Sequence, residues 1–359
     1  MTTSLDNNTL STRANPTIEE IVRYYLDIRR PEIKETTYQS YCAQVVPYII
    51  GPLPTGSKRD RWVFSHTGCC PEGQHLVEML GQLPLADLTT ARIRHWHRAL
   101  AELVSSSTAR VAKKHLRAAL ALAAEDFDLR IPMMPRHRGR GHTRPRKSIL
   151  NPTQIGQLLN AALADETMGI YYAFPFLTGV RPSEQLALRW DDIDFGADLI
   201  RIRRMQQSDG KICALTKTPA STRQIPISPL LRTMLRKWQA ICPRLNVETW
   251  LVFPSLGGYR CSIHKKRGAA LSYVNFRTTY WQPVFATLGL PYVTPHSARH
   301  AFISTLQARG VEVGLVAQLA GHADPAVTLS VYTHAVRDGS GAVAALETAY
   351  TQLDALKQP

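Results

Sequence analysis

Thr294–Ala335 reads TPHSARHAFISTLQARGVEVGLVAQLAGHADPAVTLSVYTHA. It carries His296 and Arg299 three residues apart, a Gly321-His322 pair, and Tyr332 ten residues beyond that histidine. Its apolar spacing predicts helices over SARHAFISTLQARG and EVGLVAQLAGH. Residues three apart on a helix share a side, so His296 and Arg299 are expected to face one ligand. With Arg181, in TGVRPSEQLALRW, the stretch collects phosphate-gripping groups and one phenol. Arginine's planar fork binds phosphate in a bidentate way and keeps its charge. A phenol can attack phosphorus and conserve the bond energy in a covalent ester, with no metal or nucleotide required. No element decides this alone: His-x-x-Arg pairs are usually structural, and Tyr332 is one of 13 tyrosines.

Upstream of that stretch, a second domain opens at Leu150. NPTQIGQLLNAALA predicts a helix, and the apolar MGIYYAFPFLTG follows it. RPSEQLALRWDDIDF reads as a helix entered through Pro182, a residue suited to the first helical position. Arg181 then sits at the cap, where backbone N–H dipoles favour anions, and Glu184 lies in the first turn. LIRIRRMQQ alternates, Asp209-Gly210 supplies a turn, and KICALT and RQIPIS predict further strands. Lys217 falls in the loop or strand end between them, where an amine can protonate a leaving oxygen. PLLRTMLRKWQA, YVNFRTTYWQPVFATLG and the tail Gly341–Leu356 read as helices.

The first part of the chain is different. Residues 1–16 are polar and expected to be disordered. TIEEIVRYYLDIRR predicts a helix capped by Thr17, and a second is expected from about Lys34 to Ile50, bent or ended near Pro47. Residues 51–84, rich in Gly and Pro, read as a long irregular insertion. Helical spacing returns at Leu88–Leu103 and Ser106–Phe127, the latter with Arg110, Lys113, Lys114 and Arg117 beside an Ala/Leu face. The stretch RIPMMPRHRGRGHTRPRKSI, from Arg130 to Ile149, holds basic residues and no acid. Such a segment repels itself into an extended linker and would gain affinity on a nucleic-acid backbone by releasing counterions.

Composition agrees with a polyanionic partner: 43 Lys and Arg stand against 28 acids in 359 residues, a formal charge of +15 with pI near 9.8. Nucleic acid is the first candidate and an anionic membrane surface the second. The longest apolar runs, near Ala118–Ala124 and Ile170–Leu177, are too short to span a bilayer, and no signal peptide is read. A soluble intracellular protein is expected. The cysteines show no disulfide framework and read as reduced thiols. His66, Cys69, Cys70 and His75 could in number hold zinc, but adjacent cysteines rarely ligate together and no second Cys-x-x-Cys exists. No metal and no cofactor are expected.

Arg181 in TGVRPSEQLALRW, Lys217 in LTKTPASTRQIPI, His296 and Arg299 in TPHSARHAF, and His322 and Tyr332 in LAGHADPAVTLSVYTH occur in one order. In this the chain resembles the tyrosine recombinase (phage integrase) family, strongly over about 150–337 and more weakly over 17–130. The resemblance implies a fold that is mainly α with a small antiparallel β-sheet. A helical core-binding domain (17–130, with the insertion 51–84) would join, through a basic linker (131–149), a catalytic domain (150–338) and a tail helix (339–359). It implies that Tyr332 is the nucleophile forming a 3′-phosphotyrosyl bond. Arg181 and Arg299 would hold the scissile phosphate, and Lys217 would protonate the departing 5′ oxygen. His296 would handle the phenol proton, and His322 would hydrogen-bond the phosphate. Glu184 reads either as a buttress of the site or as an ordinary first-turn carboxylate. Arg223 is expected to touch phosphate or solvent, and His334 and Arg337 to be surface or DNA-backbone groups. The implied partners are double-stranded DNA and three further copies of the chain, a homo-tetramer on paired DNA sites, its tail helix docked on a neighbour. The resemblance leaves room for a directionality factor, requires no membrane, and places the protein in the cytoplasm, associated with the nucleoid. The competing readings are a type IB topoisomerase-like DNA relaxing enzyme and a non-catalytic DNA-binding module with a decayed site.

Overall fold

The computed structural model describes residues 15–136, 148–215, 222–245, 249–257, 266–322, 324, 326 and 328–329. Lys217, Tyr332, His334, Arg337, the tail helix and the middle of the basic linker lie outside the described residues. Contacts divide the chain into two compact units, Met1–Thr143 and Arg144–Pro359. The described residues are mainly helical, with short antiparallel strand pairings only.

In the first unit, helices Ile18–Glu32, Glu35–Val45, Thr90–Leu103 and Ser106–Phe127 bury one face each around Ile21, Val22, Ile49, Ile93, Leu100, Leu116 and Leu120. Thr17 starts the first helix with a reciprocal capping box to Glu20, which satisfies two otherwise orphaned N–H groups. The second helix ends at Val45 and passes into a π-helical turn, Val46–Ile50, with Pro47 at its start. Proline lacks the N–H that would continue the α ladder. Residues 51–84 hold more regular structure than expected, although most of the stretch is loop and turn. Leu53–Pro54 (β1) pairs antiparallel with Leu76–Val77 (β2), and a helix, Lys58–Thr67, stands between them. Ser57 and Asp60 form its capping box, and Gly68, at φ 69°, closes it in the left-handed region. The end of the insertion returns to the first helix, where Gly81 and Leu83 carbonyls accept from the Glu19 and Ile18 N–H groups.

In the second unit, the helix Gly169–Thr178 is buried almost throughout. It packs against helices Pro152–Ala164, Pro229–Ile241 and Pro295–Ala308. A helix covered on every side is apolar all round rather than amphipathic, which explains IYYAFPF. Ile193–Asp194 (β3), Leu199–Ile202 (β4) and Arg223–Pro226 (β7) form a three-stranded antiparallel sheet in the order β3-β4-β7. Arg204–Gln206 (β5) and Ile212–Ala214 (β6) make a separate hairpin around the expected Asp209-Gly210 turn. The helix expected through RPSEQLALRWDDIDF is corrected: it stops at Gln185. Leu186, Ala187, Leu188 and Trp190 are all buried, so they lack the one-sided pattern of a surface helix. The Trp190 and Val252 N–H groups instead pair with the Trp250 and Leu188 carbonyls.

No helix among the described residues is long and apolar enough to cross a membrane. Among the described residues, no three His, Cys, Asp or Glu side chains gather closely enough to hold a metal ion.

Candidate active site

Two helix starts and one helix end build the site. The buried helix Gly169–Thr178 ends at Gly179, whose φ of 66° turns the chain toward Arg181. A Cβ there would lie 2.3 Å from Phe302 Cδ1, so only glycine fits. Arg181 caps the short helix Pro182–Gln185, and Glu184 reaches back to accept its backbone N–H at 2.8 Å. Thr294 caps the helix Pro295–Ala308 by accepting from the Ser297 N–H. That helix carries Arg299 to full burial while His296 remains exposed near its start. The third element is the helix Val313–Ala320, which ends at Gly321 in the left-handed region and delivers His322.

Glu184 is the centre of the cluster. Its side chain is 1% exposed and accepts three guanidinium hydrogen bonds besides the Arg181 backbone N–H. Arg181 Nη1 donates to Oε1 at 2.8 Å; Arg223 Nη1 and Nη2 donate to Oε1 and Oε2 at 3.1 and 2.8 Å. Arg181 Nη2 also donates to the Gly321 carbonyl at 2.8 Å, and Arg223 Nε to the Leu319 carbonyl at 2.7 Å. Arg299 Nη1 donates to the Gly179 carbonyl at 2.9 Å. Its Nη2 is buried with no hydrogen-bond partner among the described residues. His322 Nδ1 lies 2.8 Å from Thr328 Oγ1.

Three guanidiniums against one carboxylate leave an excess of positive charge. Burial pushes the Glu184 carboxyl up, but Arg223 and Arg181 outweigh that and hold it below the usual range. Burial, and then the charges of Arg181 and Arg223, lower the Arg299 pKa to about 9 against the opposing pull of Glu184. Arg299 therefore stays charged at neutral pH. Burial and the charges of Arg299, Arg181, Arg223 and His296 bring His322 down to about 4. At neutral pH it is an uncharged imidazole. In the tautomer with the proton on Nε2, Nδ1 accepts from the Thr328 hydroxyl and the ring is a neutral donor. A buried donor without a partner is destabilising unless a ligand completes it. The arrangement suits an anion with several acceptor oxygens.

Of the residues singled out in the sequence, Arg181, Arg299 and His322 meet here with Glu184, and His296 lies close enough to influence His322. Lys217 and Tyr332 fall outside the described residues. Arg223 corrects one half of its expectation: its side chain is 3% exposed and engaged by Glu184, so it does not face solvent. Thr328, fully buried beside His322, gave no signal in the sequence. In the helical unit, Arg110, Lys113, Lys114 and Arg117 line a groove of about 920 Å³ whose other wall is residues 131–136. Thr90 Oγ1 and Lys113 Nζ donate to the Met133 and Pro135 carbonyls and hold that wall against the helices.

Comparison with known proteins gives the same direction. A tyrosine recombinase XerC-like protein of Caldanaerobacter subterraneus subsp. tengcongensis is 29% identical over 199 residues, covering 50% of this chain and 48% of that protein. The transposase of transposon Tn916 from Enterococcus faecalis is 27% identical over 54% of this chain and 49% of its own length. The chain thus spans about half the length of these curated relatives. An integrase of Streptomyces ambofaciens is 26% identical over 74% of this chain and 69% of its own length. Among solved structures, the Tn1549 transposon integrase in complex with transposon right end DNA has a TM-score of 0.65 at 19% identity, covering 93% of this chain and 99% of that one. A lambda integrase tetramer bound to a Holliday junction has a TM-score of 0.58 at 16% identity, over 94% and 83%. These structures share the fold. The sequence model of the phage integrase family matches residues 148–338, more than half of the chain and all of the cluster around Glu184, and the chain belongs to that family.

Proposed function

We propose that the protein is a site-specific DNA recombinase that cuts and rejoins DNA through a 3′-phosphotyrosyl intermediate, integrating or excising a mobile element. The observation that carries this reading is the buried Arg299 Nη2, a charged donor with no hydrogen-bond partner among the described residues, beside Arg181 and the neutral His322. A scissile phosphate supplies the missing acceptors. Arg181 and Arg299 would bind its non-bridging oxygens and stabilise the charge that builds up at phosphorus. The Tyr332 oxygen attacks phosphorus, and the P–O bond to the 5′ oxygen breaks. His296 receives the phenol proton, Lys217 gives one to the leaving oxygen, and His322 donates a hydrogen bond to the phosphate. Attack by a 5′ hydroxyl of another strand reverses these transfers and frees Tyr332. The energy stays in the ester, so neither nucleotide nor metal enters.

The names of the relatives and the excess of basic residues support double-stranded DNA as the substrate. The groove lined by Arg110, Lys113, Lys114 and Arg117 offers the helical unit a track for the backbone. Four copies on paired sites, with the tail helix docked on a neighbour and a directionality factor setting the outcome, complete this reading. So does a place in the cytoplasm, on the nucleoid.

The test is a nicked suicide duplex built from the junctions of the element that carries the gene. In EDTA, wild type is expected to form a covalent protein–DNA adduct, and Tyr332→Phe none. An adduct that persists in Tyr332→Phe would show another nucleophile. Relaxation of supercoiled plasmid lacking such junctions, with no pairing of sites, would favour the topoisomerase alternative.

A further inference from the structure

Arg223 is a buried charged group with no part in the steps above. Its partners among the described residues are a carboxylate and a backbone carbonyl. Its two Nη atoms take both oxygens of Glu184, 39 residues away, and its Nε takes the Leu319 carbonyl. That carbonyl belongs to the last turn of the helix Val313–Ala320, whose C-terminal end carries unpaired acceptors and partial negative charge. The next turn of chain fits around the same guanidinium. A Cβ on Gly321 would sit 2.8 Å from Arg223 Nη1 and 2.9 Å from its Cζ.

The effect on Arg181 follows from how carboxylates pair. A buried carboxylate prefers a two-point match with one arginine. Without Arg223, Glu184 would draw the fork of Arg181 onto itself and neutralise it. With Arg223 holding both oxygens, Arg181 gives Glu184 a single side-chain bond through Nη1 and gives Nη2 to the Gly321 carbonyl. Its side chain remains 37% exposed.

We propose that Arg223 is a positioning residue for the phosphate site: by gripping Glu184 and Leu319 it presents Arg181 and the Gly321-His322 turn to the phosphate without touching it. This rests on the reading of the cluster as a phosphate site.

The test uses the full chain and four forms: wild type, Arg223→Lys, Arg223→Gln, and Arg223→Gln combined with Glu184→Gln, set against Glu184→Gln alone. Three quantities are measured: melting temperature, duplex Kd, and the rate of adduct formation on the suicide duplex. Arg223→Gln should slow adduct formation about 100-fold, the scale of a misplacement near 1 Å, with Kd changed less than about threefold. Arg223→Lys keeps the charge without the fork and should fall between. The double variant should be slower than Glu184→Gln by much less than the factor that Arg223→Gln costs alone, because part of the Arg223 effect runs through that carboxylate and only the Leu319 grip is left to lose. A double variant slower by the product of the two single effects would mean that Arg223 contacts the phosphate itself, and would overturn the proposal. So would an Arg223→Gln rate equal to wild type. If Arg223→Gln does not fold, Arg223→Lys decides: a lost rate at wild-type melting temperature and Kd supports the proposal, and a wild-type rate overturns it. Titration of the same proteins with inorganic phosphate, followed through the arginine side-chain ¹⁵N–¹H signals, separates the two readings. Should wild type form no adduct, the recombinase reading fails. The Arg223 proposal then stands if wild type binds phosphate at least about tenfold more tightly than Arg223→Gln, and falls if the two bind alike or neither binds.

Discussion

Replacing Arg299 with methionine should stabilise the protein while disabling it. Arg299 is 1% exposed, and its pKa is lowered from the ordinary arginine value to about 9, through burial first and then the charges of Arg181 and Arg223. That gap corresponds to a penalty on the charged form on the order of 5 kcal/mol. The sign follows from proton release. Below pH 9 the group is charged in both folded and unfolded chains, and the penalty is fully present. As pH rises above 9 toward the ordinary arginine value the folded chain gives up its proton first, and the penalty is relieved. Methionine fills similar space without charge. It forfeits the Nη1 bond to the Gly179 carbonyl, worth roughly 1.5–3 kcal/mol. The balance at pH 7 is a gain of roughly 2 kcal/mol, or a melting temperature roughly 4–8 °C higher for a unit of this size. Adduct formation should fall about 10²- to 10³-fold, as expected when a preorganised donor to a developing oxyanion is removed. Calorimetry and the suicide-duplex assay on one preparation read both effects. A melting temperature that falls by several degrees would mean that the guanidinium supports the fold, and the stored-charge reasoning would be wrong.

Three further outcomes follow from the same geometry. Gly321→Ala forces a φ of 70° on alanine and pushes a methyl against Arg223; it should cost roughly 1–2 kcal/mol, seen in chemical denaturation, and slow adduct formation more than it weakens DNA binding. His322, with its pKa lowered to about 4 by burial and then by Arg299, Arg181, Arg223 and His296, should make stability fall as pH drops from 6.5 toward 4, because the unfolded chain takes up the proton first. His322→Gln should lose roughly 1–2 kcal/mol less over that window, and equal pH profiles for the two proteins would contradict the depressed pKa. Lys114→Ala and Arg117→Ala, exposed on the groove of the helical unit, should each reduce the slope of log Kd against log salt by about one; unchanged slopes would move the DNA backbone elsewhere.

How far the sequence speaks for itself depends on the distance over which a residue finds its partners. Thr17 with Glu20, Asn151 with Gln154 and Thr294 with Ser297 are local devices, and each marks a helix start where the structure has one. LIRI and RQIP alternate because β4 and β7 have one buried face, and they pair as strands. Lys58–Thr67 was hidden because none of its residues is buried, so it has no apolar stripe. Its capping box and left-handed glycine were the available signal. The LALRW segment misled in the opposite sense, since a fully buried turn and a buried helix are equally apolar. Within the site, Arg181, Arg299 and His322 were legible through their resemblance to a family pattern, whereas Arg223 was not. A charged residue on an alternating strand ordinarily faces water, and its partner lies 39 positions earlier in the chain. Thr328 is likewise silent until folding places it against His322.

The way Glu184 is shared explains why so much positive charge survives in one place. A buried carboxylate matched by a single arginine would give a closed, neutral pair, and such a pair binds no anion. Three guanidiniums with no carboxylate would repel one another without relief, at several kcal/mol per uncompensated buried charge. One carboxylate with two arginines on it, and a third held among the described residues by the Gly179 carbonyl, lies between those limits. The fold tolerates the remainder because each cation is tied to a separate rigid element: the start of Pro182–Gln185, the strand β7, and the helix Pro295–Ala308. None can relax outward without breaking a capped end or a sheet register. The charge that folding leaves unmatched is therefore available in fixed geometry to whatever oxyanion enters, and little reorganisation is needed when negative charge develops there.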